Sequence, residues 1–334
     1  MKIIAFGCRD EELVHFNQLQ ENYKDICEIE VLQEHLSLET VMRAKGADAV
    51  SIEGQCKADR PVLAKLKEYG ISYLSTRTVG YNNIDVAAAG EMGIHCANVT
   101  YSPYGVANYT VLLILASIRK FMHIMVRSGV LDYSLRGVEG EELQTMTVGI
   151  IGMGRIGQTV ARCLSGFGCR IIAYTPHPNE KTRALAEPVT LEELYHTADI
   201  ITLHTPLTGE NYHMINADTI AKMKDGAYLI NTSRGELMDT SALIDAIESG
   251  KLGGLAVDTF ENERAVVHKD HEATPIQNRE MLTLKAYPNV LVSPHAAYYT
   301  RQAVQDMVTC SVEGLLSWLQ GKENTHEVHA IFKA

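Results

Sequence analysis

The chain is expected to fold as an α/β protein of two doubly wound parallel-sheet domains, and three observations carry that expectation. Short apolar runs of strand length alternate with helix-like segments along most of the sequence. A glycine-rich turn, Gly152-Met153-Gly154-Arg155-Ile156-Gly157, opens a second series with the same rhythm. The length of 334 residues exceeds the roughly 250 to 300 at which a single core stops growing.

Taken in order, apolar runs at Ile3 to Phe6, Glu28 to Leu32, Ala49 to Ile52, Tyr73 to Ser75 and Cys96 to Val99 read as the strands of a small parallel sheet. Gly105 to Met125 follows as a long apolar helix, read as buried between domains or subunits. Its uninterrupted core, Val111 to Ile118, is far below the roughly 20 residues of a membrane span. Met146 to Ile151 reads as a strand feeding the glycine turn, Thr159 to Leu164 as the helix beyond it, and Arg170 to Tyr174 as the next strand. Ile200 to His204, Tyr228 to Asn231, Leu255 to Asp258 and Val290 to Val292 continue the series. Between them Thr240 to Ser249 reads as a helix, with Ser241 near its start and Gly250 as its stop. Thr300 to Gln320 is a long amphipathic pattern with no strand expected after it. One domain is therefore expected over 1–100 and 299–334, and a second, inserted, over 101–298, with ligands meeting in the cleft beyond the carboxyl ends of the strands.

The glycine turn is the arrangement of a dinucleotide site. Gly152 permits the tight turn, Gly154 lets backbone approach a pyrophosphate, and Gly157 lets the helix pack closely on its strand. Free N–H groups at the start of that helix then face the phosphates, and the helix dipole favours their charge.

Composition is that of an ordinary globular chain, with 46% hydrophobic and 21% charged residues. A net charge of −11 argues against a nucleic-acid partner, because a polyanion requires a basic surface. The seven cysteines are scattered without a C-x-x-C pair, which suits reduced thiols in a cytoplasmic protein; neither disulfides nor a metal site are expected. The amino terminus carries a short apolar strand rather than an export signal, and no membrane association is expected.

Three polar residues stand at the ends of the late strands: Arg234 after Ile230 to Ser233, Glu263 beyond Val257 to Phe260, and His295 after Val292-Ser293-Pro294. A cation for a carboxylate, an acid to orient a donor, and a proton donor for an oxygen are what carbonyl reduction beside a nicotinamide requires.

The segments Thr232-Ser233-Arg234-Gly235-Glu236-Leu237-Met238-Asp239, Gly253 to Asp258 and Ser293-Pro294-His295-Ala296-Ala297-Tyr298-Tyr299-Thr300 resemble the signatures of the D-isomer-specific 2-hydroxyacid dehydrogenases. Ser75 to Asp85 and Tyr101-Ser102-Pro103 resemble the D-lactate dehydrogenase branch, including its vancomycin-resistance members. The resemblance implies a flavodoxin-like substrate domain with an inserted Rossmann domain. It implies that Arg234 binds the substrate carboxylate with its planar fork. His295 would be the acid/base, with Glu263 on its other ring nitrogen favouring the imidazolium while hydride arrives from NAD(P)H. The backbone N–H groups of Val79 and Gly80 would be a second carboxylate anchor, with Tyr101 and Tyr298 lining the pocket. Asp258 would hold the nicotinamide carboxamide, its alternative being a loop cap. The cofactor set is completed by Gly152, Gly154, Arg155, Ile156 and Gly157, by Thr175 and His177, by His204, Thr205, Pro206 and Asn211, and by Thr232 and Ser233.

An NAD-specific fold places an Asp or Glu about 20 residues after the first glycine, yet Tyr174-Thr175-Pro176-His177-Pro178-Asn179 holds no carboxylate before Glu180. NADH and NADPH are both left open, with Lys181 and Arg183 near enough to meet a 2′-phosphate. The expected reaction is reduction of pyruvate to D-lactate. Bulkier branched or aryl 2-keto acids are the alternative, because the loop residues Cys8, Arg9, Gln55 and Cys56 and the aromatics Tyr298 and Tyr299 discriminate a methylene by only ~1 to 3 kcal/mol. An NAD(H)-sensing, corepressor-like protein on the same scaffold is the rival from another class. The resemblance also implies a homodimer, which the apolar stripe of Gly105 to Met125 supports.

Overall fold

The computed structural model describes residues 1–329, so positions 330–334 of the expected 299–334 segment lie outside the described residues. The chain divides into two units, Met1–Ser102 with the chain from Tyr299 onward, and Pro103–Tyr298.

The first unit is built on β1 (Lys2–Ala5), β2 (Glu28–Val31), β3 (Ala49–Ile52), β4 (Tyr73–Thr76) and β5 (His95–Ala97), all parallel and ordered β5-β4-β3-β1-β2, the flavodoxin-like arrangement. A parallel sheet is covered on both faces, and its central strands are correspondingly buried, whereas the edge strand β2 carries Glu28 and Glu30. Phe6, Val50, Ile52, Leu63, Leu66 and Leu74 share one core. Ile3, Ala5 and Phe16 share another with Val308, Val312 and Leu315 of the helix Arg301–Leu319. That helix is capped by Thr300, whose hydroxyl accepts the Ala303 N–H, and near its end Trp318 stacks on Tyr73 with centroids 5.4 Å apart.

The second unit holds β6 (Thr147–Ile151), β7 (Arg170–Tyr174), β8 (Glu187–Pro188), β9 (Ile200–Leu203), β10 (Ala227–Asn231), β11 (Leu252–Val257) and β12 (Val290–Val292). Their order is β12-β11-β10-β9-β6-β7-β8, all parallel. This is the Rossmann order with one further strand, and its switch point lies between β6 and β9, where the glycine turn leaves the sheet.

Three expectations are corrected. Gly105 to Met125 is not one helix but two, Tyr104–Ile118 and Phe121–Gly129, bent by 66° where Lys120 takes a left-handed φ of 49°. The first packs Ala107, Ile114 and Ile118 into one core with Val148, Val160 and Leu164, whereas the second has no buried side chain. A strand does follow the last long helix: β13 (Glu327–Val328) lies antiparallel on β5, at the edge of the first sheet. The start of the helix Thr240–Glu248 is set by Asp239 rather than Ser241, its carboxylate accepting the Ser241 and Ala242 N–H groups. Among the described residues no single helix is long and apolar enough to cross a membrane.

Candidate active site

β11 and β12 run side by side, and the loops leaving their carboxyl ends are tied together by one carboxylate. Asp258 is fully buried; its Oδ1 accepts from Ser293 Oγ at 2.5 Å and the Ala296 N–H at 2.9 Å, and its Oδ2 accepts the Ala297 N–H at 2.8 Å. Its carbonyl accepts the His295 N–H at 2.8 Å. His295 is thereby held in a left-handed conformation, φ 55°, between two stapled neighbours. Asp258 thus serves as a cap for the loop that carries His295.

Glu263 sits in a short 3₁₀ turn, Glu263–Ala265, supported by a cluster of Phe260, Val267 and Met281. Its Oε1 accepts from His295 Nδ1 at 2.7 Å and its Oε2 accepts the Phe260 N–H at 3.2 Å. Fixing Nδ1 as the donor leaves Nε2 to face a reactant, and Nε2 has no partner among the described residues. Tyr298 stands edge-on to the His295 ring at 5.9 Å. His268, which sequence reasoning missed, lies 6.1 Å from the His295 ring centroid and donates from Nε2 to the His295 carbonyl at 3.2 Å. Its position in a polar loop without periodicity carries no sequence signal.

Arg234 follows β10. Asn231, buried at the strand end, donates to the Arg234 carbonyl at 2.8 Å and accepts the Ser233 N–H at 2.9 Å, which shapes the turn. Gly235 is required there, since a Cβ would lie 2.1 Å from the Phe260 carbonyl carbon. The loops of Arg234 and Glu263 are therefore in backbone contact. Arg234 bonds its neighbour's carbonyl, Ser233 O, at 2.7 Å and has no carboxylate partner among the described residues.

The glycine turn passes a steric test for a dinucleotide. Gly152 has φ 100° and a Cβ there would lie 2.6 Å from the His204 carbonyl oxygen; one on Gly157 would lie 2.0 Å from the Gly152 oxygen. Nothing lies within 4 Å of the Cβ position of Gly154, which precedes the helix Arg155–Ser165, so the backbone there is open to approach. Ile156 is partly buried beside it. His204 Nε2 shares a 2.9 Å hydrogen bond with Thr202 Oγ1, and burial pulls its pKa down to about 3, so the ring is neutral. Asn211 secures the next loop through the Pro206 carbonyl at 2.7 Å and the Thr208 N–H at 2.7 Å. Ser233 Oγ donates to the Thr205 carbonyl at 2.6 Å, and Thr232 shares a 2.9 Å hydrogen bond with Thr110. Thr175 is partly buried at the end of β7 and His177 is exposed.

In the first unit the N–H groups of Val79 and Gly80 have no partner among the described residues, while their carbonyls are held by Asn98 Nδ2 at 2.7 Å and Thr78 Oγ1 at 2.6 Å. Beneath this turn lies Arg77, fully buried, which donates to Glu12 Oε1 at 2.9 Å, Ser51 Oγ at 3.0 Å and the Phe6 carbonyl at 3.0 Å. Sequence reasoning passed over it, although an arginine directly after an apolar strand is a signal that could have found it. Tyr101 is partly buried in the same unit.

The sequence pattern of the D-isomer specific 2-hydroxyacid dehydrogenase family, NAD binding domain, matches residues 111–297. This chain belongs to that family. It is 42% identical over 317 residues to an aromatic 2-oxoacid reductase of Clostridium sporogenes, covering 94% of this chain and 95% of that protein. It is 38% identical over 328 residues to a D-lactate dehydrogenase of Lactiplantibacillus plantarum, covering 97% and 98%. Among solved structures it superposes on D-2-hydroxyisocaproate dehydrogenase with a TM-score of 0.89 at 36% identity, covering 98% of this chain and 99% of that one. A D-lactate dehydrogenase of Lactobacillus jensenii solved with NAD+ gives 0.86 at 31% identity, covering 98% and 99%. The chain is an oxidoreductase, a D-2-hydroxyacid dehydrogenase with an NAD-binding domain.

Proposed function

We propose that this dehydrogenase reduces pyruvate to D-lactate, with His295 as acid/base, Glu263 as its positioning partner and Arg234 as the substrate's carboxylate anchor. The observation that carries the assignment is the 2.7 Å bond from His295 Nδ1 to Glu263, which leaves Nε2 as the nitrogen that gives its proton to the 2-keto oxygen. Arg234, which has no carboxylate partner among the described residues, offers its planar fork to the substrate. The nicotinamide cofactor, when bound, supplies the hydride in reduction and accepts it in the reverse direction. Gly152, Gly154, Arg155, Ile156 and Gly157 would hold its pyrophosphate, with Thr175, His177, His204, Thr205, Pro206, Asn211, Thr232 and Ser233 along its length. Within the first unit, the Val79 and Gly80 N–H groups are proposed as donors to the anionic substrate and Tyr101 as a substrate contact.

A second substrate reading, aryl 2-keto acids, is favoured by the 42% identical aromatic 2-oxoacid reductase and by the ring edges of Tyr298 and His268 beside His295. Because β7 ends without a carboxylate, NADPH is proposed as an acceptable cofactor beside NADH. A homodimer and a cytoplasmic location complete the reading. The dimer is supported by the helix Phe121–Gly129, whose Phe121, Met122, Met125 and Val126 are all exposed.

Initial rates with NADH and NADPH against pyruvate, 2-ketoisocaproate and phenylpyruvate test the proposal, each repeated on His295→Ala. Loss of at least about 100-fold in the variant supports the acid/base role. Cofactor binding without turnover of any keto acid by the unaltered protein would favour a sensing role instead.

A further inference from the structure

We propose that the loops at the carboxyl ends of β2 and β3 form a site for one zinc-class divalent cation, with His35, Glu53 and Cys56 as its protein ligands. His35 Nδ1 lies 3.2 Å from Glu53 Oε1 and 3.9 Å from Cys56 Sγ, and the three donor atoms all fall within 4.8 Å of one another. Ligand bonds of roughly 2.0–2.3 Å in a tetrahedron separate nitrogen, oxygen and sulfur donors by roughly 3.3–3.8 Å, so the two His35 pairs, at 3.2 and 3.9 Å, already stand close to that spacing. Imidazole, carboxylate and thiolate together select a zinc-class ion over magnesium or calcium, and the two anionic ligands balance its charge.

Two independent features shape the place. Gly7, in the loop after β1 with φ 65°, would carry a Cβ 2.6 Å from Glu53 Cγ, 2.7 Å from His35 Nδ1 and 3.2 Å from Cys56 Sγ. Glycine at this position therefore keeps the space among the three donors clear. The ligand atoms are also aimed before any ion arrives. Cys56 Sγ accepts the Leu36 N–H at 3.2 Å, the bond a thiolate takes, and Glu53 Oε1 accepts the Gln55 N–H at 2.5 Å. The second carboxylate oxygen of Glu53 turns away towards Arg9 Nη2 at 3.4 Å, which leaves Oε1 on the cation's side. Glu53 and Cys56 are buried while His35 is exposed, so the fourth coordination position opens outward for water. On binding, the thiol proton of Cys56 and any proton on His35 leave to solvent.

The test uses the full-length protein stripped with chelator and titrated with Co²⁺, then with Zn²⁺. The expected result is one cobalt per chain with a thiolate-to-cobalt charge-transfer band that one equivalent of zinc erases. The band should vanish in Cys56→Ser and survive in Cys8→Ser. His35→Ala, at an exposed position that leaves the core intact, should weaken zinc by more than the about 10- to 100-fold that an outer-shell change costs. Absence of a stoichiometric band in the folded unaltered protein, or zinc affinity unchanged in His35→Ala, overturns the proposal and leaves the three residues as a polar cluster of the fold.

Discussion

Asp258 positions His295 from below: it accepts the histidine's own N–H on its carbonyl at 2.8 Å and the N–H groups of the next two residues on its buried carboxylate at 2.9 and 2.8 Å. A positive-φ residue other than glycine persists only where its surroundings over-determine it. Here the constraint comes from a side chain on the neighbouring strand's loop.

Asp258→Asn keeps the shape but turns an NH₂ group towards at least one of those backbone N–H groups. Loss of a charged acceptor costs about 1.5–3 kcal/mol, and His295 loses its fixed orientation. The expected outcome is a fall in kcat of at least about tenfold with a much smaller change in the keto-acid KM, measured where circular dichroism shows the variant folded. An Asn variant with the parent's kcat would show that the buried carboxylate does not position the acid/base.

Arg77 and Glu12 form an ion pair with both side chains buried, and removing only the cation strands a carboxylate in the core. Arg77→Met should therefore cost about 3–5 kcal/mol in urea unfolding, whereas Arg77→Met with Glu12→Leu should recover much of that loss. The two carbonyls that Arg77 ties, of Phe6 and Gly7, are left without this donor in either variant, so recovery should stop short of complete. Equal stability of the single and double variants would refute the stranded-charge account.

The strands were legible because parallel strands buried on both faces are largely apolar, as Ala49 to Ile52 and Val148 to Ile151 are. Gly152 and Gly157 were legible because each occupies a place where a Cβ would strike backbone. The pair Glu327–Val328 was missed because two residues at a sheet edge have no periodicity to read. The helix break at Lys120 was missed because it depends on a left-handed residue that is not glycine. The loop-capping bonds of Asp258 were not legible, because a carboxylate at a strand's end gives no sign in the sequence of which backbone N–H groups it will accept. His35 comes from the loop after β2 and Glu53 and Cys56 from the loop after β3, and their spacing follows no metal motif.

His204 sets a pH dependence of stability. Its ring is neutral in the folded protein down to about pH 3, while in the unfolded chain it takes a proton near its ordinary pKa of about 6.5. Between those values the unfolded state binds more protons, so this contribution is full above roughly pH 6.5 and declines as the pH falls towards 3. At pH 5 the loss is on the order of 2 kcal/mol, and His204→Gln should show less decline in urea stability between pH 7.5 and pH 5 than the parent. Parallel pH profiles for the two proteins would show that His204 is not the group responsible.

Cofactor choice turns on the end of β7, where Thr175 stands in the position that an NAD-specific fold gives to an acidic residue accepting the ribose hydroxyls. The first carboxylate beyond it, Glu180, is exposed in the first turn of the helix Glu180–Leu185, which Asn179 caps by accepting the Thr182 N–H at 3.0 Å. That cap fixes Glu180 as a helix residue. Thr175→Asp places a carboxylate at the strand end, where it accepts the ribose hydroxyls and repels a 2′-phosphate. Each 1.4 kcal/mol of that repulsion is about a tenfold change, so kcat/KM with NADPH should fall by at least about tenfold relative to NADH, with the keto-acid KM unchanged. An NADH to NADPH ratio equal to the parent's would mean that Thr175 does not set the choice, which would then fall to the exposed His177, Lys181 or Arg183.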